Sequence, residues 1–252
     1  MSRLPLRIAT GVYQITLGGV NAFLIDLDDH GVGAVVPAAG ERAAPGGLVL
    51  VDTGFARSAA RVGAAIRDLG RAPGDLRAIV VTHLHGDHTG ALAEVKRRTG
   101  AELWMHPADA ALVRAGVFAR PLEPGPGLLR RGIARLSALR PASPGEPIEV
   151  EHEVRDGEIL PFAGLRAVHT PGHTAGHLAL LLPRDGGVLF VGDAAANFLR
   201  LGWGPIYEDV AQGRESLAKL AALEFEVAAF AHGRAIRTRA GERFRARWRP
   251  PR

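Results

Sequence analysis

Within six residues, the segment HLHGDH at 83–88 supplies three imidazoles and one carboxylate, directly after an apolar run, Ala78-Ile79-Val80-Val81, and one threonine. That is more metal-binding capacity than a surface loop needs for solubility. The apolar run reads as a buried strand, so the cluster sits where such a strand stops. The same arrangement recurs along the chain: Leu48-Val49-Leu50-Val51 stops at Asp52, the run 188–191 is followed by Asp193, and the run 227–231 by His232. His173 follows a further strand pattern over 165–169. A fold that accepts this sequence has to gather several strand ends at one edge.

The chain contains no cysteine. Disulfides, thiolate ligands and a cysteine nucleophile are therefore excluded, and any metal is held by His, Asp or Glu. After the strand, His83 and His85 point the same way, while Asp87 and His88 open the next helix and face the same cavity. Two adjacent dications need more than four ligands, and His173, Asp193 and His232 are the candidates to complete the set. A carboxylate such as Asp193 can bridge two ions and offset their repulsion. The remaining histidines read as ordinary residues: His30 and His152 as solvated, His106 as a turn residue before Pro107, and His169 and His177 as hydrogen-bonding or packing neighbours of His173. Trp104 and Met105 read as core.

With 252 residues, 47% hydrophobic and 23% charged, the chain has the length and composition for one domain over 1–252 with a sizeable core. Strands over 12–17 and 20–26, turned by Gly18-Gly19, form an opening hairpin. Helices are expected over 58–69, 91–98, 107–113 and 210–223, and strands over 103–105, 148–151, 165–169, 178–182, 188–191 and 227–231. A Pro- and Gly-flanked insert at 118–147, with Leu128, Leu129, Ile133, Leu136 and Leu139 on an amphipathic centre, reads as a helical flap.

Much of the net charge of +5 sits at the end of the chain, where 234–252 holds eight arginines against Glu242 alone. This predicts a basic, solvated C-terminal helix at 238–249, with no nucleic-acid partner expected. No apolar run approaches the roughly 20 residues that span a bilayer, and Pro5 and Arg7 interrupt the start, so a cytoplasmic protein without a membrane partner is expected.

HLHGDHTG at 83–90, TPGHT at 170–174, GD at 192–193 and AHG at 231–233, preceded by VDTG at 51–54, resemble the metallo-β-lactamase-fold superfamily and follow its order. The resemblance covers about 180 residues. It implies an α+β fold, a four-layer αββα sandwich with the metal site at one sheet edge. It further implies His83, His85 and His173 on one metal, Asp87, His88 and His232 on the other, and Asp193 bridging. Asp52 would lie close without ligating, accepting hydrogen bonds that orient the loop of His83 and His85. Two divalent ions, zinc first with iron or manganese as alternatives, would share a water whose lowered pKa yields hydroxide for attack on a carbonyl or phosphoryl group. Asp87 is the candidate catalytic residue, relaying a proton to the departing atom.

The ligand pattern is most similar to the glyoxalase II-like and lactonase-like branch, which implies a small ester, thioester or lactone as substrate. Departures limit that inheritance. About 38 residues separate Asp193 from His232 and about 20 follow, too few for a glutathione-binding helical domain of the glyoxalase II kind. The position three after Asp193, where lactonases often carry Tyr, is Ala196. Phe198, Trp203 and Tyr207, in the loop after Asp193, are the candidate pocket residues. Two alternatives stay open, a mononuclear iron persulfide dioxygenase of the same fold and an RNA-processing nuclease. A homodimer is admitted through the apolar face of the flap.

Overall fold

The computed structural model describes residues 4–29, 46–121, 123–124, 126 and 145–248. His30, the amphipathic centre of the expected flap at 128–139, and Arg249 and Arg252 lie outside them.

Alternation of buried positions organises the described chain into layers. The first sheet has the order β1-β2-β3-β4-β5-β6-β8, with β1 (Leu6–Ala9), β2 (Val12–Thr16), β3 (Asn21–Asp26), β4 (Leu48–Val51), β5 (Leu76–Val80), β6 (Glu102–Met105) and β8 (His152–Glu153). Its strands are antiparallel through β4 and parallel from β4 to β8. The second sheet runs β15-β11-β10-β9, built from β9 (Arg166–His169), β10 (Leu178–Leu182), β11 (Val188–Gly192) and β15 (Val227–Phe230). Phe23, Ile25, Val49, Val51 and Val80 from one sheet pack against Ala167, Leu178, Leu180, Phe190 and Ala229 from the other.

Period-2 alternation sends the neighbouring residues to the outer faces. Leu24, Leu50, Ile79 and Leu103 meet Val62, Ile66, Leu92, Val95 and Val113 of three helices, α1 (Ala59–Asp68), α3 (Leu92–Thr99) and α4 (Pro107–Arg114). On the far side, Leu189, Val191, Ala228 and Phe230 meet Leu217, Leu220 and Phe244 of α5 (Val210–Ala221) and α6 (Ala240–Trp248). Three apolar interfaces between four layers make the αββα sandwich.

The opening hairpin forms as expected, and its turn requires glycine because Gly18 and Gly19 have φ of +74° and +108°. Asp87 and His88 do not open a long helix. They lie in a separate turn of helix, α2 (Gly86–Thr89), which ends where Gly90 presses on the backbone of Phe55 and Ala56: a Cβ on Gly90 would come within 2.6 Å of the Ala56 nitrogen. The expected strand over 148–151 is also corrected. Ile148 and Val150 are buried, but pairing with β6 begins only at His152, and the Leu103 N–H that a ladder would use donates to the Glu151 carboxylate at 2.7 Å. The stretch after Asp193 forms short pairs that periodicity did not reveal: β12 (Ala195–Asn197) with β13 (Leu201–Trp203), and β14 (Ile206–Tyr207) with β7 (Glu123–Pro124). Strands of two or three residues hold too few alternations to be read as a period.

Among the described residues, no helix is long and apolar enough to cross a membrane.

Candidate metal centre

Register delivers the polar residues to one edge. Val51 pairs with Val80 in the parallel β4–β5 ladder, so Asp52 and Thr82 emerge side by side, and Gly192 pairs with Phe230, which brings Asp193 beside the turn of His232. Asn21 of β3 secures that turn across the two sheets, with its amide donating to the carbonyls of Phe230 and Gly233.

His83 Nε2, His85 Nδ1 and His173 Nε2 form a triangle with sides of 3.0–3.1 Å. Outside acceptors orient the rings. His173 Nδ1 donates to the Ile206 carbonyl at 2.7 Å, which leaves its Nε2 lone pair facing the triangle. The Thr82 hydroxyl donates to Asp52 Oδ2 at 2.9 Å and accepts from His83 Nδ1 at 3.0 Å, which gives His83 the same tautomer. The lone pairs of His83 and His173 thus face His85 Nδ1, while His85 Nε2 is buried without a hydrogen-bonding partner among the described residues; a cation among the three nitrogens would satisfy the set.

A second group shares the wall. His88 Nδ1 donates to Asp52 Oδ2 at 2.8 Å and His232 Nδ1 to the Gly19 carbonyl at 3.1 Å, so both Nε2 atoms face inward. His232 Nε2 lies 3.3 Å from Asp87 Oδ2 and 3.3 Å from Asp193 Oδ2. Asp193 Oδ2 also lies 3.5 Å from His173 Nε2, and its Oδ1 is 3.5 Å from His88 Nε2. Among the described residues, His88 Nε2 and Asp193 Oδ1 are buried without a hydrogen-bonding partner, a costly condition that an ion between them would relieve. His83–His85–His173, His83–His88–Asp193 and Asp87–His88–His232 are each close enough to hold an ion.

The electrostatics divide the same way. Burial, and then the surrounding imidazoles, hold His83 well below its usual value, and burial with His173 takes His85 to about 3. Burial also lowers His173 against the pull of Asp193. The triangle is thus neutral, as a ligand set must be. In the second group burial opposes charge but loses: Asp52, Asp87 and Asp193 push His88 up to about 9, and Asp193 with Asp87 takes His232 to about 11. The same imidazoles outweigh burial at the carboxylates, bringing Asp87 to about 2 and Asp193 well below its usual range.

The sequence profile of the metallo-β-lactamase superfamily matches residues 42–232. The chain belongs to that superfamily. Membership places it among metallohydrolases. A probable metallo-hydrolase of Bacillus subtilis, YflN, is 28% identical over 246 residues, covering 89% of this chain and 84% of that protein. The hydroxyacylglutathione hydrolase of Cupriavidus metallidurans is 36% identical over 152 residues, covering 59% of this chain and 46% of its own length. Among solved structures, the Rm3 metallo-β-lactamase superposes with a TM-score of 0.65 at 24% identity, covering 91% of this chain and 78% of that one, a likeness of fold.

The pocket candidates fare differently from the ligand candidates. Phe198 is 58% exposed at the tip of the β12–β13 hairpin, its ring 6.1 Å from that of His232. Tyr207 is a correction, because it is fully buried and its hydroxyl donates to the Ala194 carbonyl and accepts from Gly204 N–H. Trp203 packs its ring 5.6 Å from Tyr207 and against the outer core. Both are occupied with packing. His177 is a hydrogen-bonding neighbour, its Nε2 accepting the Asp193 N–H at 3.0 Å. His106 caps α4 through Nδ1, and its ring stacks on His169. Sequence reasoning missed Thr82, Asn21 and Asp109, whose partners are distant or main-chain atoms that no motif announces.

Proposed function

We propose that this superfamily member hydrolyses a small ester, thioester or lactone with two divalent ions, zinc first and iron or manganese as substitutes. One observation carries the reading: donors that follow four strands, β5, β9, β11 and β15, converge as two groups joined by Asp193, whose Oδ2 lies between His173 and His232 while Oδ1 faces His88. His83, His85 and His173 hold one ion; Asp87, His88 and His232 hold the other. When bound, the pair supplies a polarised substrate carbonyl and a water of lowered pKa.

The chain supplies the rest. Asp52 fixes His88 directly and His83 through Thr82, so the donor geometry is set before substrate arrives. The Asp87 side chain, 26% exposed against 0–4% for His88 and Asp193, is the carboxylate that reaches outward; held ionised, it is placed to take the proton released by the attacking water and pass it to the departing atom. Phe198 offers an apolar rim for the acyl or ring portion of a substrate. A thioester substrate is consistent with the hydroxyacylglutathione hydrolases, but the match spans only about half of their length, 42–52%, so their glutathione carrier is not transferred. The three cores stacked on two shared sheets support one folded unit.

The test is metal content by mass spectrometry, paired with hydrolysis of an ester, thioester and lactone panel before and after chelation. About two ions per chain and chelator-sensitive hydrolysis are expected. About one iron, no hydrolysis and oxygen uptake on a persulfide would replace this reading with the dioxygenase.

A further inference from the structure

Asp109 lies in the first turn of α4 and is fully buried, yet nothing in the chemistry above uses it. Its Oδ2 accepts from the Leu84 N–H at 3.1 Å and from the Thr174 hydroxyl at 2.7 Å, and its Oδ1 from the Gly176 N–H at 3.0 Å. Leu84 stands between His83 and His85, and Thr174 follows His173. One carboxylate therefore ties together the two loops, 88–90 residues apart in sequence, that carry the triangle. The approach is close enough to demand glycine at 176, where a Cβ would fall 2.6 Å from the Asp109 carboxylate.

A cation backs the strap from the stem of the 118–147 segment. Arg120 Nη1 lies 3.7 Å from Asp109 Oδ1 and 3.1 Å from Glu208 Oε2, while its Nη2 donates to the Ala108 carbonyl at 2.8 Å. Glu208 grips the same loop, accepting the Ala175 N–H at 2.8 Å and donating its own N–H to the Gly172 carbonyl at 2.7 Å.

We infer that Asp109 is a positioning residue that preorganises His83, His85 and His173 for one ion, acting through Leu84, Thr174 and Gly176. The inference rests on the reading of that triangle as a metal-holding set. The buried Asp109 carboxyl accepts hydrogen bonds from both loops at once, and none of these bonds involves the Asp87–His88–His232 group. The effect should therefore be selective between the two ions.

The experiment measures ions per chain by mass spectrometry and the two zinc affinities by competition with a chromogenic chelator, in the wild type, Asp109→Asn, Thr174→Val and Thr174→Ser. Calorimetry of the chelated proteins reports any purely structural loss. In Asp109→Asn one affinity is expected to fall 10- to 100-fold with the other unchanged. Thr174→Val should weaken the same ion less, and Thr174→Ser, which restores the hydroxyl, should bind as the wild type does. If Asp109→Asn fails to fold, the Val and Ser pair decides the matter alone. Wild-type affinities in the variants, even with a lowered unfolding temperature, would overturn the inference, as would equal weakening of both ions. A wild-type chain that takes up no zinc fails differently, removing the triangle itself.

Discussion

Replacing Asp52 by Asn keeps the shape of the side chain but puts an amide where Thr82 N–H, Thr82 O–H and His88 Nδ1–H all need an acceptor. Loss of the His88 tautomer should weaken metal binding 10- to 100-fold, readable by chelator competition; an unchanged affinity would remove Asp52 from the set of orienting groups. The residue also holds φ at +61°, a left-handed conformation that costs a non-glycine residue on the order of 1 kcal/mol and persists because the carboxylate is held on three sides. Asp87→Asn tests the proton role. With both ions retained, kcat should fall 10²- to 10⁴-fold, and full kcat would assign Asp87 to ligation alone. The His and Asp residues that converge at this edge could be picked out as candidates in the sequence because each group begins within a few residues of the end of an apolar run. Asp109 was not, because its three acceptor contacts lie 25, 65 and 67 residues away and a lone Asp in a helix has no local signature.

The strands and helices that present these side chains draw their stability from the layer interfaces. Leu50 of β4 is fully buried against α1 and α3, and Leu50→Ala should cost about 2–5 kcal/mol in denaturant unfolding with little change in metal stoichiometry. Glu151 works by charge. Burial raises its pKa, but the Lys96 ammonium at 2.6–2.7 Å and the Leu103 N–H outweigh that and hold the carboxyl below its usual value. A depressed folded pKa means the stabilisation is complete above the unfolded value, about 4.3, and is lost as pH falls through the folded one. Glu151→Gln should therefore cost about 0.5–1 kcal/mol at neutral pH, with the gap to wild type closing in acid; a gap that persists at pH 2 would contradict the ion pair. Period-based reading expected a strand over 148–151 because it sees alternation but not the side chain that takes the ladder's donor.

Two sheets, each twisted and covered by its own helices, meet so that the ends of β4, β5, β11 and β15 share one edge, and without ions that edge is an accumulation of buried imidazoles and carboxylates. Binding to the folded state alone stabilises it by mass action, about 4 kcal/mol at a thousandfold excess over Kd. For a chain of this length that corresponds to about 10 °C in unfolding temperature, and chelation should remove it. A calorimetric Tm indifferent to chelator would mean that the edge is stable as a network of protons.

Local chemistry was sufficient to determine the strand and helix alternation, the donor types and the superfamily, because apolar periodicity and short motifs act within a few residues. Tertiary structure alone decided which lone pairs converge, that Tyr207 serves the core rather than a substrate, and that one buried carboxylate on α4 fastens two distant loops. Those outcomes depend on strand register and on distances between residues far apart in the chain. A shift of one position in the β4–β5 ladder would have turned the same side chains to the opposite face.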